Sequence, residues 1–174
     1  EEGKLWIVDQ QEILYREIRN GVFSRESAYR AGSGDNPVLM AGNSDSLFVL
    51  NSSQELFEFS DSGLTNNSVL QVLVKELASD ISGRLWAIAN GRIVTLEEQG
   101  ATVESHLLTQ ASKSLTVTVT GDVYLILGQA IYRLNKTTDR LEKVRGNYEV
   151  PQSLAADAHG KLWVITTTGK LLRQ

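Results

Sequence analysis

Short apolar runs, separated by clusters of glycine, asparagine, aspartate and serine, follow one another along the whole chain. Residues 114–120 (SLTVTVT) alternate polar and apolar positions without a break, as a strand with one buried face does. Residues 4–8 and 161–165 are apolar runs rich in β-branched and aromatic side chains. The nearest approach to a helical period, residues 69–77, fits β-strand better than helix. The pattern therefore predicts an all-β protein.

The strand pattern returns about every 39 residues. An apolar residue followed by an aromatic residue marks one strand of each copy. The aromatic residues are 42, 38, 38 and 39 positions apart. A fixed period of this length indicates a repeat architecture. The five pairs are Leu5-Trp6, Leu47-Phe48, Leu85-Trp86, Val123-Tyr124 and Leu162-Trp163.

Turn residues divide each copy into four short strands, which we label a, b, c and d. Residues 80–83 and 157–160 begin with aspartate and end with glycine just before strand b, which favours a type I turn with glycine at a positive φ. The aspartate side chain can accept a bond from a backbone NH two residues on. Four short antiparallel strands per repeat predict β-propeller-type repeats, in which each blade buries its faces against its neighbours. A β-sandwich, which spaces strands similarly, is the alternative.

We interpret residues 1–174 as a single β-propeller domain or propeller segment. The chain begins at Glu1 rather than methionine, opens on a strand b and ends on a strand c. We therefore expect five four-stranded units with incomplete terminal units. Either the terminal blades have three strands each, or the chain is a segment of a larger propeller that supplies the missing strands. The predicted repeats span about residues 1–36, 37–75, 76–112, 113–150 and 151–174.

Charge and composition narrow the classes of partner. The net charge of −4 gives no basic surface for nucleic acid, so we expect no nucleic-acid partner. No apolar stretch approaches the ~20 residues that a membrane-spanning helix needs, so we expect no membrane insertion by this segment. The absence of cysteine excludes disulfides and thiolate metal sites and leaves the compartment open.

Side chains suited to catalysis are sparse. His106 lies in a strand d and His159 in a turn, and the sequence reveals no acidic partner for either. No His, Asp and Glu cluster has metal-ligand spacing, and neither a nucleophile elbow nor a phosphate loop is present. We predict a non-enzymatic binding or interaction module with no catalytic residue, metal or cofactor; a propeller lyase or hydrolase is the alternative.

Binding residues are predicted from topology. The b–c turns and the d–a connections of propeller blades lie at one rim, and loops on a rigid scaffold carry function. Arg16, Arg133 and Arg173 share one position on strand c, and we interpret them as exposed strand-c residues or as ladder partners of carboxylates across the hairpin. An arginine array that binds an anionic ligand is the alternative. The repeated aromatic residues are interpreted as core. The candidate ligand-binding residues on the b–c turns are Asp9, Gln10, Asn51, Ser52, Asn90, Gln129 and Thr167.

The fifth copy resembles the propeller repeat of periplasmic ligand-binding regions in two-component sensors. It reads Asp157-Ala-His-Gly160-Lys-Leu-Trp163-Val-Ile-Thr166-Thr-Thr-Gly169, and residues 80–95 match its first half. Tectonin-type propellers and streptogramin-inactivating lyases contain similar phrases. The resemblance implies an extracytoplasmic ligand-sensing or scaffolding propeller of a larger signalling protein.

A periplasmic or extracellular location follows from this resemblance, while a cytoplasmic one stays open. The partner is expected to be a protein or a small ligand. Self-association through open terminal strands, or assembly by strand addition from another chain, is a further alternative.

Overall fold

A computed structural model describes residues 3–8, 12–19, 22–30, 36–43, 46–60, 63–96, 102–146 and 149–173. The regular secondary structure in these ranges consists of β-strands, which form five antiparallel sheets. No helix long and apolar enough to cross a membrane occurs among the described residues.

The strands of each sheet pair in chain order, so every sheet is a simple meander. Sheet 1 contains β1 (Gly3–Val8), β2 (Glu12–Arg19) and β3 (Val22–Arg30). Sheet 2 contains β4 (Pro37–Gly42), β5 (Leu47–Asn51), β6 (Glu55–Ser60) and β7 (Gly63–Val69). Sheet 3 contains β8 (Val74–Ser79), β9 (Leu85–Ala89), β10 (Arg92–Leu96) and β11 (Thr102–Leu107). Sheet 4 contains β12 (Ser112–Val117), β13 (Val123–Leu127), β14 (Ala130–Asn135) and β15 (Arg140–Lys143). Sheet 5 contains β16 (Pro151–Ala156), β17 (Leu162–Thr166) and β18 (Leu171–Arg173).

This arrangement confirms the predicted all-β fold of propeller-type repeats with incomplete terminal units. Sheets 2, 3 and 4 have strands a to d, and the apolar–aromatic pair lies on strand b of each. Among the described residues, sheet 1 has no strand a and sheet 5 no strand d, as the repeat phase predicts. A sequence of separate four-stranded meanders is not the two-sheet arrangement of a sandwich.

Residues 69–77 form no helix, in agreement with the prediction, and the segment is divided between two strands. β7 ends at Val69, and β8 begins at Val74. Leu70, in the connection between them, is buried and donates its backbone NH to the Gln54 carbonyl at 2.9 Å. Because this connecting residue is itself apolar and buried, the sequence pattern shows no break where the chain turns.

Two compact units divide the chain, Glu1–Gln71 and Val72–Gln174. In the first, β3 of sheet 1 contacts β7 of sheet 2, and Leu47, Leu50 and Phe59 of sheet 2 are fully buried. The second contains sheets 3 to 5. The single domain and its repeat boundaries stay a prediction.

The core of the second unit lies between successive sheets. Trp86 and Ile88 of sheet 3 belong to one cluster with Leu125 of sheet 4, and the opposite face of sheet 4 joins a second cluster with Leu154 and Val164 of sheet 5. β12 lies beside both β8 and β16, so the first strands of the three sheets are neighbours. Since each sheet contributes a face to such a cluster, the sheets stabilise one another by burying apolar surface.

Candidate functional site

The b–c turns of sheets 3 and 4 have the geometry that tight hairpins require. Asn90 and Gly91 both have a positive φ, of 50° and 72°, which is the requirement of a type I′ turn. Gly128 has a φ of 59° at the first position of the next b–c turn. These turns hold their side chains at a fixed end of each sheet.

Of the predicted binding residues, Asp9 and Gln10 lie outside the described residues. Four others, Ser52, Asn90, Gln129 and Thr167, are exposed on b–c turns, where topology places them. Their role in binding stays a prediction.

Asn51 differs from the other predicted residues because it is buried inside its turn. Its Oδ1 accepts the backbone NH of Glu55 at 2.8 Å, and its Nδ2 donates to Glu55 Oε2 at 2.6 Å. The local contacts of Asn51 are therefore those of a residue that stabilises the hairpin.

A groove of about 330 Å³ opens where the b–c turn of sheet 3 meets the connection between sheets 3 and 4. Leu108 donates its backbone NH to the Gly91 carbonyl at 2.9 Å, which fixes the start of this connection beside the turn. Gln110 extends towards the b–c turn of sheet 4. Its Oε1 would lie only 2.7 Å from a Cβ atom added at Gly128. We call this the rim groove; its lining is Lys75, Ile88, Gly91, Leu108, Thr109, Gln110, Ala111 and Ser112.

A second groove of about 330 Å³, the lateral groove, lies between the outer strands of sheets 3 and 4. His106 of β11 has its Nδ1 3.3 Å from Oδ1 of Asp139, which is in the turn between β14 and β15. When Nδ1 carries the proton, it donates to Asp139 and leaves Nε2 as a base or acceptor. The lining is His106, Leu107, Thr109, Gln110, Leu127, Tyr132, Arg140 and Leu141.

The pairing of His106 with Asp139 was missed by sequence reasoning. The two residues are 33 positions apart in different repeats, and only the packing of sheet 3 beside sheet 4 brings them together. His159 is exposed in its turn, as predicted. No group of three or more His, Cys, Asp or Glu side chains that could hold a metal occurs in the described part of the chain.

The three arginines on strand c differ in their contacts. Arg133 donates from Nη2 and Nε to Asp122 Oδ1, at 2.7 and 3.2 Å. This carboxylate belongs to the a–b turn before β13, whereas the residue opposite Arg133 on β13 is Tyr124. Arg173 instead lies over the ring of Trp163, 5.5 Å from its centroid. The side chain of Arg16 lies outside the described residues. The structure thus gives Arg133 and Arg173 different local partners.

In sheets 3 and 5 the aspartate of the a–b turn also binds the tryptophan of strand b. Asp80 Oδ1 accepts the backbone NH groups of Ser82 and Arg84, each at 3.0 Å, and Asp157 Oδ1 makes the equivalent bonds in sheet 5. Asp157 Oδ2 accepts the Trp163 indole NH at 3.0 Å; the corresponding Asp80–Trp86 distance is 3.5 Å. One carboxylate therefore fixes the turn and positions the aromatic residue six positions later.

The pKa values of both turn aspartates are lowered. Burial by itself raises the pKa of Asp80, but hydrogen bonds from Ser82, Arg84 and Trp86 outweigh it and bring the pKa below the ordinary value of 3.8. The indole of Trp163 is the main cause of the lowered pKa of Asp157. Both carboxylates are thus charged acceptors in the folded protein at neutral pH.

A lysine joins sheets 3 and 4 at the end opposite the b–c turns. Lys136, in the turn between β14 and β15, has its Nζ 4.6 Å from the centroid of the Trp86 ring and donates to the Gly121 carbonyl. Trp86 is buried, as the core interpretation predicts, whereas Trp163 is half-buried. Cation–π contacts of this kind stabilise a folded protein modestly.

Comparisons with known proteins identify the fold. No protein-family model matches the chain, and no curated protein matches its sequence. Similar solved structures include the WD40 β-propeller domain of Doa1, with a TM-score of 0.62, 11% identity, and coverage of 97% of this chain and 61% of that one. The glutaminyl cyclase of Myxococcus xanthus has a TM-score of 0.59 and 12% identity, over 97% of this chain and 84% of that one. U3-55K has a TM-score of 0.57 and 12% identity, over 82% and 53%.

These similarities show the fold alone, because the identities are low. The chain has a β-propeller fold, and it spans less than two thirds of the Doa1 domain that it matches. The sensor part of the sequence resemblance stays a prediction. A propeller fold suits an interaction or scaffold module, because it presents loops on a rigid β framework.

Proposed function

We propose that the chain is a non-enzymatic interaction module that binds an extended peptide segment of a partner protein in the rim groove. The observation that carries the proposal is the lining of this groove. Ile88 and Leu108 form its apolar part, while Lys75, Thr109 and Gln110 supply a cation and hydrogen-bonding groups. Specific binding sites combine apolar surface with a few placed polar groups in this way.

The lining also indicates the chemistry of the peptide. Ile88 and Leu108 are 3% and 8% exposed and form an apolar floor, which suits a small apolar side chain, while a carboxylate suits the exposed Lys75. The side-chain amide of Gln110 can bond to peptide backbone groups. One wall is held by strands β8 and β9, which carry Lys75 and Ile88, and the other is the connection of residues 108–111, whose first residue is tied to the Gly91 carbonyl. A wall that is already held in place needs little ordering on binding, which favours affinity.

Lys75→Glu is expected to weaken binding at least about tenfold, which corresponds to ~1.4 kcal/mol. The charge reversal removes the partner of the peptide carboxylate and introduces repulsion. Peptides selected from a displayed random library against the wild-type chain are the probes, and calorimetry gives their dissociation constants. Gln110→Ala and Asn90→Ala test the hydrogen-bonding group of the groove and the predicted turn residue in the same series.

Lys161→Glu is the matched control, because it makes the same charge change on an exposed lysine next to the a–b turn of sheet 5. It is expected to leave binding unchanged. Selected peptides that bind Lys75→Glu and Gln110→Ala as tightly as the wild type would contradict the proposal, and so would a library that yields no binder.

The wider setting that we propose is a scaffolding or ligand-sensing region of a larger extracytoplasmic signalling protein. Its support is the resemblance of residues 157–169 and 80–95 to the repeat of sensor propellers. Fractionation of cells that express the full-length protein tests this setting; recovery from the cytoplasm alone would contradict it.

A second candidate function is acid–base catalysis by a propeller lyase or hydrolase, because the lateral groove contains the His106–Asp139 pair. Tyr132 and Arg140 in the same groove could bind an anionic substrate. In a screen of lyase and hydrolase substrates, His106→Ala is expected to abolish any turnover, while His159→Ala is expected to retain it. Turnover that survives His106→Ala excludes this candidate.

A further inference from the structure

Sheet 5 has one buried and one open face. Leu154, Leu162 and Val164 belong to the cluster with sheet 4. The opposite face carries Trp163, Ile165 and Leu171, of which Ile165 is 45% and Leu171 61% exposed. Ile165 pairs directly with Leu171 across the hairpin, so the two side chains form one exposed apolar pair.

The equivalent pairs in the two preceding sheets are buried. In sheet 3 the pair is Ile88 and Ile93, which are 3% and 2% exposed. In sheet 4 it is Ile126 and Ile131, which are 0% and 1% exposed. All three pairs are branched aliphatic residues at the same register position, so residue type does not explain the difference in exposure.

The neighbouring sheet explains it. Ile88 and Ile93 of sheet 3 lie in one cluster with Leu115 and Leu125 of β12 and β13, which form the a–b hairpin of sheet 4. The a–b hairpin of sheet 5 covers Ile126 and Ile131 of sheet 4 in the same way. Each pair is therefore buried by the first hairpin of the sheet that follows it in the chain.

The edge of sheet 5 is open as well. The c strands β6, β10 and β14 each pair with a following strand d, but β18 pairs only with β17 in the described part of the chain. Its outer backbone groups are available for a further strand, and exposed strand edges of this kind favour pairing. The edge of β18 and the apolar pair of Ile165 and Leu171 thus belong to one continuous surface.

We propose that the edge of β18 and the face formed by Trp163, Ile165 and Leu171 dock a further sheet of the same repeat type, carried by the same polypeptide. A strand d pairs with β18, and an a–b hairpin places branched aliphatic side chains on Ile165 and Leu171. The proposal is the continuation of the packing between sheets 3, 4 and 5. It assigns the surface of sheet 5 and is independent of peptide binding in the rim groove.

The face of sheet 5 also carries a cation. Arg173 pairs with Trp163 across the hairpin and lies over its ring, 5.5 Å from the centroid. In sheet 3 the ring of Trp86 instead receives Lys136 from the following sheet. The docked sheet therefore meets Arg173 beside the apolar pair.

The test extends the full chain by a second copy of its own residues 135–174, placed after Gln174. This addition supplies a copy of β15 as strand d and a copy of β16–β18 as the following sheet. Hydrogen exchange in residues 171–173 of the original sheet is expected to slow at least about tenfold, because paired and covered strands open less often.

Substitutions at the apolar pair give a second readout. Ile165→Lys and Leu171→Lys are expected to leave the urea midpoint of the original chain unchanged, since both side chains are exposed, and to lower that of the extended chain. Ile81→Lys is the matched control, because Ile81 is 60% exposed on the a–b turn of sheet 3 and should be neutral in both proteins.

Unchanged exchange in residues 171–173 of the extended chain would overturn the proposal, as would lysine substitutions that are equally harmless in both proteins. Light scattering on the original chain tests the other occupant. A dimer that Ile165→Lys converts to a monomer would show that a second copy covers this face, and would also overturn the proposal.

Discussion

Replacing Leu125 with alanine is expected to lower the free energy of unfolding by about 3 kcal/mol. Leu125 on β13 is 0% exposed and lies in the cluster between sheets 3 and 4. Alanine loses the transfer free energy of the buried side chain and leaves a cavity, which strands paired on both sides cannot easily close. Urea unfolding followed by far-ultraviolet circular dichroism measures the change.

Leu107→Ala is the control for this prediction. Leu107 is the same residue type but 60% exposed on β11, so its replacement is expected to change stability by less than about 0.5 kcal/mol. Equal losses in the two variants would mean that sheets 3 and 4 do not pack through Leu125 as described.

Asp80→Ala is expected to lower the free energy of unfolding by about 2 kcal/mol, because it removes the acceptor of several hydrogen bonds to a charged group. The backbone NH groups of Ser82 and Arg84 lose their partner, and the indole of Trp86 loses its anchor. Asp80→Asn is the matched variant. It keeps Oδ1 as an acceptor and should lose less.

The stabilising effect of Asp80 is expected to depend on pH. The pKa of Asp80 is lower in the folded protein than its ordinary value of 3.8, so the unfolded chain binds the proton more readily. The contribution is fully present above that ordinary value and is lost as the pH falls through the lower folded pKa. The stability difference between wild type and Asp80→Asn, measured by urea unfolding across this range, should therefore shrink in acid. A difference that grows in acid would contradict the lowered pKa.

Local features of the fold could be predicted from the sequence because they depend on neighbouring residues. The turn at Asp80, with Gly83 at a φ of 82°, follows from residue types that favour that conformation. The repeat phase also predicted which strands the terminal sheets lack. The burial of Asn51 is a local feature that was missed, although its partner Glu55 is only four residues away.

The candidate site could be predicted only in part. Topology shows which turns lie at one rim of the blades, but not which side chains form grooves there. The connection around Thr109 and Gln110 has no repeating pattern, so nothing in the sequence marked it as a wall of two grooves. The His106–Asp139 pair depends on how two sheets pack, and sequence spacing contains no information about that distance. The link from Asp80 to Trp86 was likewise invisible, because a turn aspartate suffices to explain the turn.

One buried hydrogen bond fixes the position of sheet 5 relative to sheet 4 along the direction of the strands. Ser114 of β12 accepts the backbone NH of Leu154 of β16 at 3.0 Å through its Oγ. Sliding sheet 5 by one residue, ~3.3 Å along the strand, would leave this NH buried without an acceptor. Such an orphaned group costs about 1–3 kcal/mol. Aliphatic residues between sheets 4 and 5 can therefore be exchanged for others of similar volume, because the hydrogen bond between Ser114 and Leu154 still fixes the position of one sheet along the other.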